Sequence, residues 1–295
     1  MTGPASSERS PACVVTQDVW YEYEGTVEAL RGVDLAIPDG AFVAVLGQNG
    51  SGKTTLIRQF NGLLRPTRGR VLVFGRDTRE CTRGELARQV GYVFQNPDHQ
   101  IFCPTVAEEI AFGPRNLGLG EDEIRRRCQH AMEYFGLSAY AEAPPAVLGF
   151  GLRRKVSIAA VYTMQPQIFV MDEPTAGLDW RLTLDLMHLA QEMHSRGHTI
   201  IVVTHDIKVA AEFAEMTIVL HDGRLLLCGD TREVFRQVET LRSSNIEPPQ
   251  IADLARRLGA QGMPDDVLTV RECFDAYTRL RARACPEERD DGSGR

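Results

Sequence analysis

The chain has 295 residues, 43% of them hydrophobic and 25% charged, a composition that supports a packed core of one large or two modest domains. Its formal net charge of −7 excludes the general basic surface that binds nucleic acid. Seven scattered cysteines without a C-x-x-C pair argue against a disulfide framework or a zinc site. Residues 1–12, rich in Ser, Pro and Gly, are expected to form a disordered lead-in. Met1 to Pro11 has no charged stretch leading into an apolar core, so no secretion signal is expected. No apolar run approaches the roughly 18–20 residues that span a bilayer, which places the chain in the cytoplasm.

In chain order, β-branched and aromatic residues predict strands over Val14–Tyr23 and Leu30–Ile37, followed by a turn at Pro38-Asp39-Gly40. The apolar run Ala41–Leu46 reads as a buried strand. It ends in Gly47-Gln48-Asn49-Gly50-Ser51-Gly52-Lys53-Thr54, and Thr55–Phe60 can continue as a helix. This is the G-x-x-x-x-G-K-[ST] spacing of a phosphate loop in its strand–loop–helix setting. Glycines let successive backbone N–H groups turn inward onto anionic phosphates, and the following helix adds the positive end of its dipole. Lys53 then reaches the outer phosphates, and the Thr54 hydroxyl is placed to ligate Mg²⁺.

Further strands are predicted at Gly69–Phe74 and Val90–Phe94, broken by Gln95-Asn96-Pro97-Asp98. Residues 105 to about 165 change character. Ile124, Cys128, Ala131, Met132 and Phe135 recur at helical spacing, Pro144-Pro145 interrupts, and a second helix is expected from about Leu152 to Met164. This section reads as a helical insertion in an α/β core. Gln167–Met171 is the near-continuous apolar run of a parallel strand covered on both faces. Leu182, Leu186, Leu189 and Met193 form one side of a helix, Thr199–Thr204 a buried strand, and Ile207–Phe213 a helix. Thr217–Leu220 and Leu225–Cys228 then make a hairpin around Asp222-Gly223. Helical patterns around Ile251–Leu258 and Val270–Leu280 predict a small C-terminal helical extension over 241–285, ahead of a loose charged tail at 286–295.

Met171-Asp172-Glu173 closes the Gln167–Met171 strand, and in a parallel sheet that end lies beside the phosphate loop. An Asp there can hold Mg²⁺ through water, and a following Glu can orient or deprotonate an attacking water. The pair opens the longer run Pro174-Thr175-Ala176-Gly177-Leu178-Asp179, which is far more specific. With these motifs in order, residues 13–235 resemble the ATP-binding subunit of an ATP-binding-cassette (ABC) transporter. The implied fold is α/β, a P-loop nucleotide hydrolase core of the ABC ATPase type. It carries an antiparallel β subdomain, a helical subdomain and the C-terminal extension, with the ATPase domain over residues 13–240.

The resemblance also implies ATP and Mg²⁺ as cofactors. It puts Gly47, Gln48, Asn49, Gly50, Ser51, Gly52, Lys53, Thr54 and Thr55 on the nucleotide, with Tyr23 stacked on the adenine. Thr54, Gln95 and Asp172 ligate Mg²⁺, and Gln95 also senses a transmembrane partner. Glu173 is the catalytic carboxylate, His205 contacts the γ-phosphate, and Asp179 lies in a loop crossing to a second subunit. Val93-Phe94-Gln95-Asn96-Pro97-Asp98-His99-Gln100-Ile101-Phe102 and Thr105-Val106-Ala107-Glu108-Glu109-Ile110-Ala111-Phe112-Gly113-Pro114 are similar to the energy-coupling-factor importers of cobalt, nickel and vitamins. That group implies three partners: a second ABC ATPase, a transmembrane coupling protein and a separate membrane-embedded substrate-binding protein. It implies no nucleic acid, a peripheral place on the cytoplasmic face of the cell membrane, and a C-terminal extension that helps the ATPases dimerise.

One stretch departs from the family. Its Leu-Ser-Gly-Gly-Gln signature loop is replaced by Leu148-Gly149-Phe150-Gly151-Leu152, although Arg153-Arg154-Lys155-Val156-Ser157-Ile158-Ala159 still resembles the signature helix. In ABC dimers this loop closes over the γ-phosphate held by the other subunit. Gly149 lacks the serine hydroxyl, a charge-assisted hydrogen bond worth roughly 1.5–3 kcal/mol. Phe150 sets a ring where backbone must approach phosphate, and Leu152 replaces a polar amide. The expectation is an asymmetric heterodimer in which a partner with an intact signature completes this chain's site. The alternatives are an active homodimer that tolerates the loop, a regulatory pseudo-ATPase, and an ABC ATPase without transport. Intact Glu173 and His205 count against the pseudo-ATPase. A single cassette without a long coiled-coil insertion counts against the last.

Overall fold

Strands β1 (Ala12–Tyr23) and β2 (Val27–Pro38) precede β3 (Phe42–Leu46), α1 (Lys53–Phe60), β4 (Arg68–Val73), β5 (Arg76–Asp77), α2 (Arg83–Gln89) and β6 (Val90–Val93) in a computed structural model that describes residues 11–284 apart from Thr26. Three helices follow: α3 (Val106–Asn116), α4 (Glu121–Tyr134) and α5 (Phe150–Tyr162). Next come β7 (Ile168–Asp172), α6 (Trp180–Ser195), β8 (Thr199–Val203), α7 (Ile207–Phe213), β9 (Met216–His221) and β10 (Arg224–Asp230). The last helices are α8 (Thr231–Arg236), α9 (Val238–Ser243), α10 (Gln250–Arg257) and α11 (Val270–Ala284). The first ten residues of the expected lead-in and the expected tail at 286–295 lie outside the described residues.

The strands form two sheets. One is antiparallel, in the order β2-β1-β4-β5. The other runs β10-β9-β3-β8-β7-β6, parallel except for β10. Strands β3, β7 and β8 are buried at every position, which is why their sequences read as unbroken apolar runs. Alternate residues serve the two faces. Val43, Val45, Val170 and Ile201 pack with Ile57 and Phe60 of α1 and with Val14 and Val71 of the antiparallel sheet. Phe42, Phe169, Met171 and Ile200 face Ile110, Phe135, Ile158 and Met187 from the helices on the other side. Parallel register matches Val203 with both Val45 and Asp172, so β3, β7 and β8 end side by side.

The structure corrects several sequence expectations. β1 already starts at Ala12, inside the expected lead-in, where Ala12 pairs with Pro38. The helical region holds α3 as well as the two expected helices. Thr105 caps α3 by accepting from the Glu108 N–H, but Glu108-Glu109 and Gly113-Pro114 blur its apolar spacing in sequence. Helix α2 has no apolar periodicity to announce it, because a Thr82–Glu85 capping box holds seven residues of which only Leu86 is buried. Helix α5 begins at Phe150, two residues early, with Gly149 as its N-cap. On α6 the buried stripe is Thr183, Leu186, Met187, Ala190 and Met193, leaving Leu182 exposed.

The expected extension is not separate at its start. Helix α9 straddles residue 240, and Leu241, Ile246 and Leu268 pack against Ala44, Leu46 and Val219 of the main sheet. Ala255, Met263, Val267 and Ala276 form a small cluster of their own. Among the described residues, no helix is long and apolar enough to cross a membrane.

Candidate nucleotide site

Four segments leave the carboxyl ends of adjacent parallel strands and meet at one edge of the sheet. They are the loop after β3, the Gln95 segment after β6, Glu173 after β7 and His205 after β8. The loop after β3 is built to come close to its surroundings. Gly47 has φ +153, and a Cβ there would lie 2.4 Å from Ser51 Oγ and 2.5 Å from the Leu220 carbonyl oxygen. Gly52, the N-cap of α1 at φ +98, would strike the Ala29 carbonyl oxygen at 2.5 Å. Gln48, Asn49 and Gly50 stay exposed at the tip. The Ser51 hydroxyl is buried without a partner, an orphaned group that suits an anionic oxygen.

Lys53 is folded back over the loop, its Nζ donating to the carbonyls of Gly47 at 2.7 Å and Gln48 at 2.9 Å. Burial pulls its pKa below the ordinary lysine value, opposed by the fields of Glu173 and Asp172. An ammonium whose hydrogen bonds go to backbone carbonyls can exchange them for phosphate oxygens. The Tyr23 and Thr55 hydroxyls lie 3.1 Å apart, which ties the end of β1 to the first turn of α1.

Asp172 is buried and well supplied with donors. The Thr54 hydroxyl donates to its two oxygens at 3.1 and 3.2 Å, and Tyr92 donates at 2.8 Å. Arg58 Nε donates in turn to the Tyr92 hydroxyl at 3.4 Å. Burial and the adjacent Asp172 push the Tyr92 phenol far up, so it remains a donor. The hydroxyl and carboxylate form an all-oxygen donor set, the chemistry Mg²⁺ takes.

Tyr92 is a site residue that sequence reasoning does not reach. It lies on β6 in register with Val170, a pairing only the sheet order reveals. Tyr92→Phe is expected to weaken ATP binding in Mg²⁺ by about tenfold to a hundredfold, the range of one hydrogen bond to a charged group. Binding measured in EDTA should be unchanged, and nucleotide titrations under both conditions check it.

Glu173 has φ +46, an uncommon conformation for a bulky residue, held by its N–H donating to the Val203 carbonyl at 2.9 Å. Its buried carboxylate lies against His205, whose Nδ1 is 2.9 Å from Oε2. Gln95 is exposed, and its carbonyl accepts from Arg154. Asp179 caps α6, accepting from the Leu182 N–H at 2.9 Å. Leu148–Leu152 stands apart from the phosphate loop at the start of α5. Gly149 has φ −62 and ψ 156 and makes no side-chain cap bond, and Leu152 packs into the helical core. The tail, by contrast, reaches the site. Asn245 and Ile246 line a cavity of about 100 Å³ together with Gly47, Gln48 and His205, a contact no local pattern signals.

The ABC transporter family profile matches residues 30–176. The chain is 41% identical to the energy-coupling factor transporter ATP-binding protein EcfA of Methanocaldococcus jannaschii, over 82% of this chain and 87% of that one. The chain belongs to the ABC transporter family. This ABC protein is also 42% identical, over 85% of its length, to an ABC transporter ATP-binding protein of Caldanaerobacter subterraneus, of which it spans 45%. Among solved structures it matches CbiO1 of Clostridium perfringens, part of the ABC transporter complex CbiONQ. That match has a TM-score of 0.72 at 36% identity and covers 83% of this chain and 99% of CbiO1. The fold is that of an ABC cassette, and the chain is an ABC transporter ATPase that couples ATP hydrolysis to transport.

Proposed function

We propose that this ABC ATPase powers an energy-coupling-factor importer for a vitamin or transition-metal ion, paired with a second ATPase whose intact signature completes its site. One contrast carries the reading. Lys53, Thr54, Asp172, Glu173 and His205 converge with complete hydrolytic chemistry, while the N-cap of α5 offers only hydrogen where the family places a hydroxyl.

In this reading Lys53 trades the Gly47 and Gln48 carbonyls for ATP phosphates, and Ser51 and Thr55 add their hydroxyls. Thr54, Asp172 and Gln95 hold Mg²⁺, which supplies charge neutralisation across the outer phosphates. Glu173 accepts the proton of the attacking water, with His205 holding its carboxylate in place. Asp179, presented by the start of α6, faces the partner ATPase. Tyr23 leaves Thr55 to stack on adenine. Tyr23→Ala should weaken ATP binding by about tenfold, within the range of one base–aromatic stack, while tripolyphosphate binding stays unchanged in a competition assay.

A groove of about 430 Å³ between the Gln95 loop and Pro144–Ala146 suits a helix of the transmembrane coupling protein. Phe102, 65% exposed and edge-on to Phe112, stands at its rim. The importer reading is tested by purifying the full chain with an energy-coupling-factor transmembrane protein and a second ATPase. Phe102→Asp should release the chain from that complex with ATP affinity unchanged. Full retention of the variant would overturn the assigned contact, and failure of the unmodified chain to assemble would overturn the importer reading.

A further inference from the structure

Arg154, in the second turn of α5, has 0% solvent exposure, and no carboxylate lies within ion-pair distance of it among the described residues. Its guanidinium spends its donors on backbone instead. Nη1 donates to the Phe94 carbonyl at 2.8 Å and Nη2 to the Gln95 carbonyl at 2.5 Å, while Nε is buried without a partner. Burial lowers its pKa to about 10, so it remains a cation at neutral pH. Retaining an unpaired buried cation is costly. Two bonds to successive carbonyls fix the backbone of the loop that carries Gln95, which a single-point ammonium cannot do.

The same guanidinium lies 5.4 Å from the centroid of the Phe150 ring. The same ring also lies against Gly177, where a Cβ would sit 3.5 Å from a ring carbon. A second strap runs through Gln100, which accepts from the Phe94 N–H at 3.1 Å and donates to the Ser157 carbonyl of α5 at 2.8 Å. Arg154 and Ser157 of α5 therefore hold the Gln95 loop, and Phe150 packs against the loop leading to Asp179. The phenylalanine that spoils the signature for a partner's phosphate is the residue that covers Arg154.

We propose that Arg154, covered by Phe150, is a positioning residue that fixes Gln95 for Mg²⁺-dependent nucleotide binding, so that the altered signature loop serves this chain's own site. The proposal rests on the reading above in which Gln95 is a Mg²⁺ ligand. It is tested on the full chain by measuring ATP dissociation constants in Mg²⁺ and in EDTA and taking their ratio. Arg154→Lys keeps the charge but not the paired donors. It is expected to cut the Mg²⁺ enhancement by about tenfold, the lower end of what loss of a ligand-orienting partner costs, with the EDTA value unchanged. Phe150→Leu should cut it by less, in the same direction.

Because Arg154 acts through Gln95, Arg154→Lys added to Gln95→Ala should cost nothing beyond Gln95→Ala alone. A merely structural arginine would lower the melting temperature and leave the ratio alone. If Arg154→Lys does not fold, Phe150→Leu decides. An unchanged ratio in the folded variants, with Gln95→Ala lowering it, overturns the positioning role. An unchanged ratio in Gln95→Ala itself overturns the Mg²⁺ role of Gln95, and the proposal with it.

Discussion

Replacing Gly149 with serine and Phe150 with glycine should raise the ATPase rate of the chain assayed alone by about tenfold to a hundredfold, the rate equivalent of a 1.5–3 kcal/mol charge-assisted hydrogen bond. Two copies of the unmodified chain would present each other with the same defective loop. The backbone is ready for the repair. Residue 149 already has the extended conformation of an N-cap serine, and a Cβ there meets nothing within 4 Å. The serine hydroxyl is then offered, with the N-terminus of α5, to the γ-phosphate of the opposite subunit. Gly149→Ser alone should give most of the gain. Phe150→Gly clears the approach to phosphate but also strips the ring from Arg154. Steady-state phosphate release at saturating Mg²⁺·ATP checks both variants, and an unchanged rate in the double variant would refute the assigned defect.

Glu173→Gln should abolish turnover in the complex with an intact-signature partner, by about a hundredfold to ten-thousandfold, the usual contribution of a general base. Glutamine fits the same pocket and can still bond to His205, but it has no carboxylate to accept a proton from water. ATP binding should survive, because Lys53, Thr54 and Asp172 are untouched. Single-turnover hydrolysis alongside nucleotide binding separates the two effects. A pseudo-ATPase would behave differently: paired turnover would then come wholly from the partner's glutamate, and this substitution would leave it unchanged.

The parts of the site legible in the sequence are those whose chemistry is contiguous. The phosphate loop needs its glycines, lysine and threonine in one run, and Asp172-Glu173 follows an apolar stretch whose burial on both faces erases alternation. Contacts that depend on sheet order or tertiary packing were not legible. Tyr92 reaches Asp172 only because β6 lies beside β7. Arg154 belongs to the segment that resembles the signature helix, and nothing local marks it as the residue the fold buries against the Gln95 loop. Asn245 and Ile246 belong to a tail that reads as separate, but Ile246 packs with Leu46 at the root of the phosphate loop. The same limit holds for α6, where Leu182 fits the apolar spacing but the buried face is centred on Thr183, Met187 and Ala190.

The central claim is that this chain's hydrolytic site is complete except for a signature supplied by another subunit. Its most direct test mixes the full-length chain with a related ABC ATPase that carries an intact Leu-Ser-Gly-Gly-Gln loop and a glutamine in place of its own catalytic glutamate. Turnover in that mixture can arise only at this chain's phosphate loop. The expected result is robust phosphate release from the mixture, lost again with Glu173→Gln, and little from the chain alone. Equal turnover by the chain with and without the partner would contradict it.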